Sequence, residues 1–334
     1  MTPLATPYLL FLGHAESLLG AKTASGIAHW RPEACLGQCR LPGCVADLGL
    51  SELTPEAAAA AGARTMIVGV ATVGGKLAPE YVPWCLRALE AGLDLAAGLH
   101  QRLADIPEIA AAAARLGRRI SDVRTPPEGL PCGTGQPRPG RRLLTVGTDC
   151  VVGKMFTALA LERELRARGH AADFRATGQT GILIAGEGIA IDAVVADFIS
   201  GAVEVLAPGA APDHWDLIEG QGSLFHPAYA GVSLGLLHGA QAEALVLCHE
   251  AGRTHIDDGA DYPLPDLPTA IAANLAAARL TSPDVRMAGI ALNTRRLDDA
   301  AAKAALAEAE RTTGLVTVDP VRTGVGPLVE ALLA

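Results

Sequence analysis

The sequence predicts an α/β protein of two domains, the second of which is built on a mostly parallel sheet. Three observations support this prediction. The chain has 334 residues, half of them hydrophobic, and a single core rarely serves a chain of this length. Strand-like and helix-like segments alternate along both halves, as is typical of parallel sheets. A segment rich in proline and glycine, TPPEGLPCGTGQPRPGRR (125–142), lies between the halves and is typical of a linker.

The first domain is predicted over residues 1–124. No G-x-G-x-x-G motif follows its first strand, so the sequence gives little support for a bound dinucleotide there. The predicted strands are YLLFLG (8–13), TMIVGVA (65–71) and RRISDVR (118–124). The predicted helices are PEAAAAAGA (55–63), PEYVPWCLRALEAG (79–92) and DIPEIAAAAARLG (105–117).

The second domain is predicted over residues 143–334. Several of its strands stop at polar residues, and open α/β sheets place their ligands outside the carboxyl ends of strands. The predicted strands are RLLTVGT (142–148), AADFRATG (171–178), DLIEGQG (216–222), EALVLCHE (243–250), MAGIALNT (287–294) and GLVTVDP (314–320). The predicted helices include FTALALERELRARG (156–169), AIDAVVADFISGAV (190–203) and TAIAANLAAARL (269–280).

The first of these strands leads into a phosphate-binding loop with one unusual residue. Gly147, Gly153 and Lys154 satisfy G-x-x-x-x-G-K between a strand and a helix, an arrangement whose N–H groups and ammonium bind phosphate. Met155 stands where a nucleotide hydrolase has the Ser or Thr hydroxyl that binds Mg²⁺. Transfer of a γ-phosphoryl group needs that metal, whereas a ligand whose phosphates are only held does not. Coenzyme A is one such ligand.

Polar residues at the second strand end suit a carboxylate. In FRATGQTGILIAGEG (174–188), Arg175 is followed by Gln179 and Thr180, which together offer a guanidinium, an amide and a hydroxyl. An amino acid or a dicarboxylate would fit this set. The residues alone allow equally a solvated arginine beside a tight turn.

The third and fourth strand ends carry groups that could transfer protons. Glu219 and His226 lie in DLIEGQGSLFHPAYAG (216–231), and His249 ends the fourth strand, close to Arg253. Glu219 could instead be a structural partner of Lys154, and a histidine at a strand end is often only a hydrogen-bonding residue. The third strand end also offers a second candidate anion nest, formed by Gly220, Gln221, Gly222 and Ser223.

Composition excludes several other classes of protein. A net charge of −9 and an aromatic content of 4% argue against a nucleic-acid partner. The stretch MTPLATPYLLFLGHAES (1–17) has no basic region and only a short apolar run, so we expect neither a signal peptide nor a membrane span. Seven cysteines without a repeated C-x-x-C spacing indicate free thiols in the cytoplasm. Cys35, Cys39 and Cys44 match no common zinc spacing, so no metal is expected.

Five motifs together resemble the D-glutamate N-acetyltransferase family over nearly the whole chain. They are AKTASGIAHWRPEACLGQCRLPG (21–43), GTDCVVGKM (147–155), RATGQTGI (175–182), DHWDLIEGQGSLFHPAYAGVSLGLLHG (213–239) and LCHEAGR (247–253). The resemblance implies a Rossmann-like N-terminal domain followed by a P-loop domain similar to dethiobiotin synthetase. It also implies that acetyl-CoA, as co-substrate, donates an acetyl group to the amine of D-glutamate. Met155 is no departure from this family.

Chemistry and resemblance together nominate three sets of residues. The candidate proton-transfer residues are Glu219, His226 and His249. The candidate cofactor-binding residues are Gly147, Thr148, Asp149, Cys150, Gly153, Lys154, Met155 and Asn293. Asn293 is included by analogy with P-loop relatives, in which a residue at this position contacts the adenine ring. A structural cap at Asn293 is equally compatible with the sequence. The candidate substrate-binding residues are Arg175, Gln179, Thr180, Gln221, Gly222, Ser223 and Arg253.

Two other functions stay open from the residues. An ATP-dependent ligase or carboxylase like dethiobiotin synthetase would bind Mg-ATP, which Met155 disfavours. A regulator that senses coenzyme A or a nucleotide would need fewer polar and charged side chains than these strand ends have. A homo-oligomer, dimeric or larger, is expected by analogy with related P-loop synthetases. The residues do not distinguish D from L substrates or decide which group is the general base.

Overall fold

The computed structural model of the chain describes residues 4–18, 20–70, 73–257 and 262–334. Contacts between residues divide it into two compact units. One comprises Met1–Pro127 with Gly178–Ala193, and the other comprises Glu128–Thr177 with Val194–Ala334. Residues 178–193 therefore pack with the first unit, although the sequence prediction places them inside the second domain. The predicted residue Ala71 and the first three residues of the chain lie outside the described residues.

A five-stranded sheet forms the middle of the first unit. Its strands are β1 (Tyr8–Gly13), β2 (Cys35–Arg40), β3 (Thr65–Val68), β4 (Asp94–Ala97) and β5 (Ile120–Asp122). They lie in the order β2-β1-β3-β4-β5, and each pair is parallel. Every residue of β1 is buried, because helices cover a parallel sheet on both faces.

A six-stranded sheet forms the middle of the second unit. Its strands are β6 (Arg141–Gly147), β7 (Ala172–Arg175), β8 (Trp215–Ile218), β9 (Ala244–Glu250), β10 (Arg286–Asn293) and β11 (Thr317–Val318). The order is β11-β10-β9-β6-β8-β7, and these pairs are parallel as well. The carboxyl ends of β6, β8 and β9 therefore meet at one edge, with β6 between the other two. The predicted α/β class with parallel sheets is confirmed.

Helices connect the strands in both units. Three of them begin with a side chain that accepts a backbone N–H of the first turn, namely Thr54, Asp266 and Asp298. Among the described residues no helix is both long and apolar enough to cross a membrane. The helices are α1 (Lys22–Trp30), α2 (Pro55–Ala60), α3 (Val82–Glu90), α4 (Pro107–Leu116), α5 (Lys154–Ala167), α6 (Gln179–Ala185), α7 (Ile199–Leu206), α8 (Ala230–Ala240), α9 (Leu267–Ala278), α10 (Asp299–Thr313) and α11 (Gly326–Leu333).

Three sequence predictions of secondary structure differ from the structure. The strand predicted over 314–320 is confined to β11, the two residues Thr317 and Val318. The helix predicted over 190–203 consists of two 3₁₀ turns, Ile191–Ala193 and Ala196–Phe198, and α7 begins only at Ile199. The strand predicted over 118–124 is confined to β5, the three residues from Ile120 to Asp122. In addition, α1, β2 and β4 were not assigned from the sequence, since each is short and lacks a clear hydrophobic period.

Candidate functional site

The loop between β6 and α5 has the backbone geometry of an anion nest. Val151 and Gly153 both have positive φ, 55° and 110°, and Val151 is a β-branched residue that rarely adopts such an angle. Successive N–H groups in such a loop converge toward one point. Since α5 begins at Lys154, the N–H groups of its first turn have no acceptor within the helix and add to the nest.

A buried carboxylate holds this loop in shape. Asp149 is fully buried, and its Oδ1 accepts a hydrogen bond of 2.7 Å from the N–H of Cys150. Its Oδ2 accepts bonds of 2.9 Å from Arg253 Nη1 and from the N–H of Asp257. Arg253 also contacts the carboxylate of Glu250. Burial opposes the charge of Arg253, but its bonds to these carboxylates outweigh burial and raise its pKa.

Lys154 lies inside the loop. Its Nζ donates a 2.7 Å hydrogen bond to the carbonyl oxygen of Asp149, and its side chain is buried. Burial lowers the pKa of Lys154, and the neighbouring Cys150, Cys248, Asp149 and Glu219 oppose that shift. Burial is the larger effect, so the pKa of Lys154 stays below its ordinary value.

The loop offers no hydroxyl where a Mg²⁺ ligand is expected. Met155 occupies the second position of α5 and is partly exposed. The next hydroxyl along the helix belongs to Thr157, which donates a 3.0 Å hydrogen bond to the carbonyl oxygen of Gly153. Thr157 also accepts a weak bond from the Cys248 thiol. The start of α5 therefore lacks this metal ligand.

Glu219 follows β8 directly and is buried beside the loop. Its Oε2 accepts a 2.9 Å hydrogen bond from the N–H of Thr177, and its carbonyl oxygen accepts one of 2.6 Å from the Thr177 hydroxyl. The N–H of the next residue, Gly220, donates to Thr145 Oγ1 at 3.0 Å. A side chain on Gly220 would meet the Thr145 carbonyl oxygen at 1.8 Å, so only glycine fits here.

The 221–223 segment is tied to the phosphate-binding loop. Ser223 Oγ donates a 2.9 Å hydrogen bond to the carbonyl oxygen of Thr148, and Gln221 Nε2 donates to Thr177 Oγ1 at 3.1 Å. Gly222 has φ 63°. The cavity beside this segment measures about 10 Å³, the space of roughly one water molecule.

His226 is buried with a defined protonation pattern. Its Nδ1 accepts a 3.2 Å hydrogen bond from the N–H of Ala228, and its ring stacks on Tyr229 with centroids 4.3 Å apart. A backbone N–H can only donate, so the proton of the neutral imidazole lies on Nε2. One ring nitrogen, the Cys150 sulfur and an Asp149 carboxylate oxygen all lie within 4.8 Å of one another.

His249 belongs to the other side of the loop. Its Nδ1 and the hydroxyl of Thr148 form a 2.8 Å hydrogen bond. Burial, followed by the nearby Arg253, lowers the pKa of His249 to about 4. The imidazole is therefore neutral at physiological pH and is a weak base.

The remaining predicted residues lie elsewhere or are paired. Arg175 ends β7 and donates a 2.7 Å hydrogen bond to the buried Asp216. Asn293 ends β10, and its Oδ1 accepts the N–H of Arg295 at 3.1 Å. Gln179 and Thr180 begin α6 and belong to the first unit, where Gln179 accepts a hydrogen bond from Arg124 and Thr180 lies 3.2 Å from the hydroxyl of Thr23.

Sequence reasoning missed the threonines that organise this site. Thr145 and Thr177 accept or donate the bonds that fix Gly220 and Glu219. Both lie in or just after strands that lead to the predicted loops. A polar residue within a buried strand was the available signal, since it must find a partner at the sheet edge.

Fold and site together define a two-domain α/β protein with a P-loop whose following helix lacks the usual magnesium-binding hydroxyl. The chain belongs to the DUF1611 family. Its P-loop domain of unknown function matches residues 131–329, and its Rossmann-like N-terminal domain matches residues 40–126.

Relatives and a solved structure match over the full length. A D-glutamate N-acetyltransferase from Tritonibacter scottomollicae is 52% identical, covering 98% of this chain and 99% of the relative. One from Pseudoalteromonas sp. is 46% identical, covering 98% of each. The crystal structure of a DUF1611 family protein from Anabaena variabilis superposes with a TM-score of 0.89 at 34% identity, covering 98% of this chain and 99% of that one.

The tight packing at Gly220 leads to a stability prediction. Gly220→Ala should lower the free energy of unfolding by about 3 kcal/mol, because the added methyl overlaps the Thr145 carbonyl and crowds Lys154. Chemical denaturation measures this change. Gly231→Ala is the control, since this exposed position in α8 has open space and alanine favours helices. Equal stability of the two variants would contradict the packing described.

The neutral His249 leads to a pH prediction. Its folded pKa of about 4 lies below the ordinary 6.5, so the unfolded chain binds more protons between these values. The contribution of neutral His249 to the free energy of unfolding is complete above pH 6.5 and is lost as the pH falls toward 4, by about 3 kcal/mol. Between pH 6.5 and 4, the free energy of unfolding should fall less steeply for His249→Gln than for the unmodified protein. Identical slopes would show that His249 is not buried in its neutral form.

Proposed function

We propose that this chain is a D-glutamate N-acetyltransferase that uses acetyl-CoA as acetyl donor. The observation that carries the proposal is its 52% identity, over nearly the full length of both chains, to a relative of that name. A second relative with the same name matches equally completely. A small-molecule substrate, a cytoplasmic location and a homo-oligomer are part of this proposal, and the last two rest on the sequence predictions alone.

The loop geometry supports acetyl transfer over phosphoryl transfer. An ATP-dependent enzyme needs a metal to neutralise charge on the γ-phosphate, and Met155 provides no oxygen for it. The nest at 151–153, the first turn of α5 and Lys154 suit a negative charge without a metal ion. We assign Gly147, Thr148, Asp149, Cys150, Gly153, Lys154 and Met155 to the donor side of the site, and Asn293 by analogy.

Glu219 is the best candidate for the general base. The amine of D-glutamate must lose a proton before it attacks a thioester, which needs a base within hydrogen-bond reach. His249 is a weak base because its pKa is about 4. The Nδ1 lone pair of His226 already accepts the Ala228 N–H, so the ring offers a donor at Nε2. Asp149 and Glu250 at the same sheet edge are paired with Arg253, whereas Glu219 is buried beside Lys154 and is therefore the carboxylate we assign as base.

Two of the predicted carboxylate-binding arginines have protein partners. Arg253 pairs with Asp149 and Glu250, so we infer that it shapes the loop and does not bind substrate directly. Arg175 pairs with the buried Asp216. The Gln221 amide and the Ser223 hydroxyl also donate to protein groups. Substrate binding by Gln221, Gly222 and Ser223 therefore stays a prediction, as it does for Gln179 and Thr180 of the first unit.

A two-donor assay tests the function. The purified protein is incubated with D-glutamate and either acetyl-CoA or Mg-ATP, and free thiol, ADP and N-acetylglutamate are measured. Acetyl transfer predicts thiol release with equimolar N-acetylglutamate, and activity that persists with a chelator because no loop hydroxyl binds a metal. ADP formation alone would support a ligase. Absence of both products would support a regulator that senses coenzyme A or a nucleotide.

Lys154 provides a quantitative prediction. Lys154→Ala should lower kcat/KM for acetyl-CoA by about 100-fold, because it removes the ammonium inside the anion nest. Steady-state thiol release measures the effect. Lys303→Ala, on the exposed side of α10, is the control and should keep full activity. Unchanged kinetics in Lys154→Ala would remove this residue from the site.

A further inference from the structure

The cluster of Asp149, Cys150 and His226 joins a thiol, an imidazole and a carboxylate. The three ligand-type atoms lie within 4.8 Å of one another. Asp149 and His226 are buried, whereas Cys150 is partly exposed and can be reached by a ligand. This combination is typical of a reactive cysteine, and the proposed function above gives Cys150 no chemical role.

Two electropositive features lie near Cys150. The residue lies in the loop that precedes α5, whose first turn carries a partial positive charge. Lys154 Nζ donates to the carbonyl oxygen of Asp149, the residue before Cys150, while the Asp149 carboxylate itself lies within 4.8 Å of the thiol and opposes its ionisation. Burial raises the pKa of Cys248 to about 11, despite its bond to Thr157, so Cys248 stays protonated.

A metal ion fits this cluster poorly. The guanidinium of Arg253 lies 2.9 Å from Asp149 Oδ2 and would repel a cation bound to the same carboxylate. The other oxygen, Oδ1, accepts the N–H of Cys150. The carboxylate is therefore used to position the loop, which leaves the thiol as the reactive group.

We propose that Cys150 is a nucleophile that carries the acetyl group between donor and acceptor. This inference rests on the proposed acetyltransferase function. The Cys150 thiolate attacks the carbonyl carbon of acetyl-CoA, a new carbon–sulfur bond forms, and coenzyme A leaves as a thiolate that takes a proton from water. The neutral amine of the substrate then attacks acetyl-Cys150. The amide bond forms, the cysteine thiolate leaves, and the excess amine proton passes to Glu219.

This role changes which anion the loop binds. A thioester carbonyl over Cys150 places its developing oxyanion in the nest of N–H groups at 151–153 and at the start of α5. The diphosphate of the same coenzyme A molecule is separated from the thioester by the whole pantetheine chain, so it lies outside the loop. Neither anion requires the hydroxyl that Met155 lacks.

His226 acts as a hydrogen-bond donor in this arrangement. Because Nδ1 accepts the Ala228 N–H, the polar hydrogen of the ring is on Nε2. The stack on Tyr229 fixes the ring plane. His226 lies within 4.8 Å of the sulfur and is assigned as a positioning residue, and it does not take the thiol proton.

Trapping the intermediate tests the inference. The protein is incubated with acetyl-CoA in the absence of any amino acid, quenched in acid, digested and analysed by mass spectrometry. We expect one acetyl group on the peptide that contains Cys150, and its loss on brief exposure to D-glutamate before the quench. Initial rates should give parallel double-reciprocal lines, as in a double-displacement mechanism. An unmodified Cys150 together with intersecting lines would overturn the proposal.

Substitutions at Cys150 provide a second test of the inference. Cys150→Ala and Cys150→Ser should each lose at least about 1000-fold in kcat, since truncation removes the nucleophile and a serine hydroxyl is not ionised near neutral pH. Cys132→Ala, which changes an exposed thiol of the same unit, should keep full activity. Circular dichroism of each variant shows whether the fold is retained. Full activity of a folded Cys150→Ala would overturn the proposal.

Failure of the function and failure of the inference give different results. If Cys150→Ala transfers acetyl to D-glutamate normally, direct transfer is correct and the proposed function stands. If the unmodified protein forms acetyl-Cys150 but no N-acetyl-D-glutamate, the nucleophile is supported and the acceptor is another amine. If it neither binds acetyl covalently nor releases thiol, both proposals are wrong.

Discussion

The Asp149 carboxylate is the constraint on which the rest of the site depends. It is fully buried, and three donors from two segments bind it, namely the N–H of Cys150 in the loop itself and, after β9, the guanidinium of Arg253 and the N–H of Asp257. Its carbonyl oxygen also accepts the ammonium of Lys154. These bonds hold Val151 in a left-handed conformation that a β-branched residue would otherwise avoid. The convergence of N–H groups, and with it any anion chemistry at this loop, follows from that conformation.

The second constraint is the close approach of β6 and β8 at the same edge. Gly220 leaves no room for a side chain against Thr145, and Thr177 fixes both ends of Glu219. The carboxylate is therefore held beside Lys154 by the sheet itself. A carboxylate held next to an anion nest is the geometry that the proposed acyl transfer needs, in which an oxyanion forms while an amine loses its proton.

The sequence predicted the P-loop and most strands, because these features are local. Continuous apolar runs predict buried parallel strands, so YLLFLG coincides with β1. The glycine and lysine spacing predicts the loop after β6. In contrast, CLGQCR has no such run, and β2 was missed. The 190–203 segment has a helical composition, but its first turns are 3₁₀.

The partners of the charged residues could not be predicted, because they are distant in sequence. Arg253 is bound by Asp149, 104 residues away, and Arg175 by Asp216, 41 residues away. Both arginines were candidates for substrate carboxylates on local grounds alone. The protonation of His226 likewise depends on one backbone N–H in a turn. Such pairings decide which side chains can act on a ligand, and only the tertiary structure shows them.

The measurement that tests the central claim most directly is a crystal structure with an acetyl-CoA analogue in which a methylene group replaces the thioester sulfur. The account predicts the ketone oxygen within hydrogen-bond distance of the loop N–H groups, the carbonyl carbon beside Cys150, and no metal ion at Met155. A diphosphate or a magnesium–nucleotide complex in that loop, with the acetyl group far from Cys150, would contradict it.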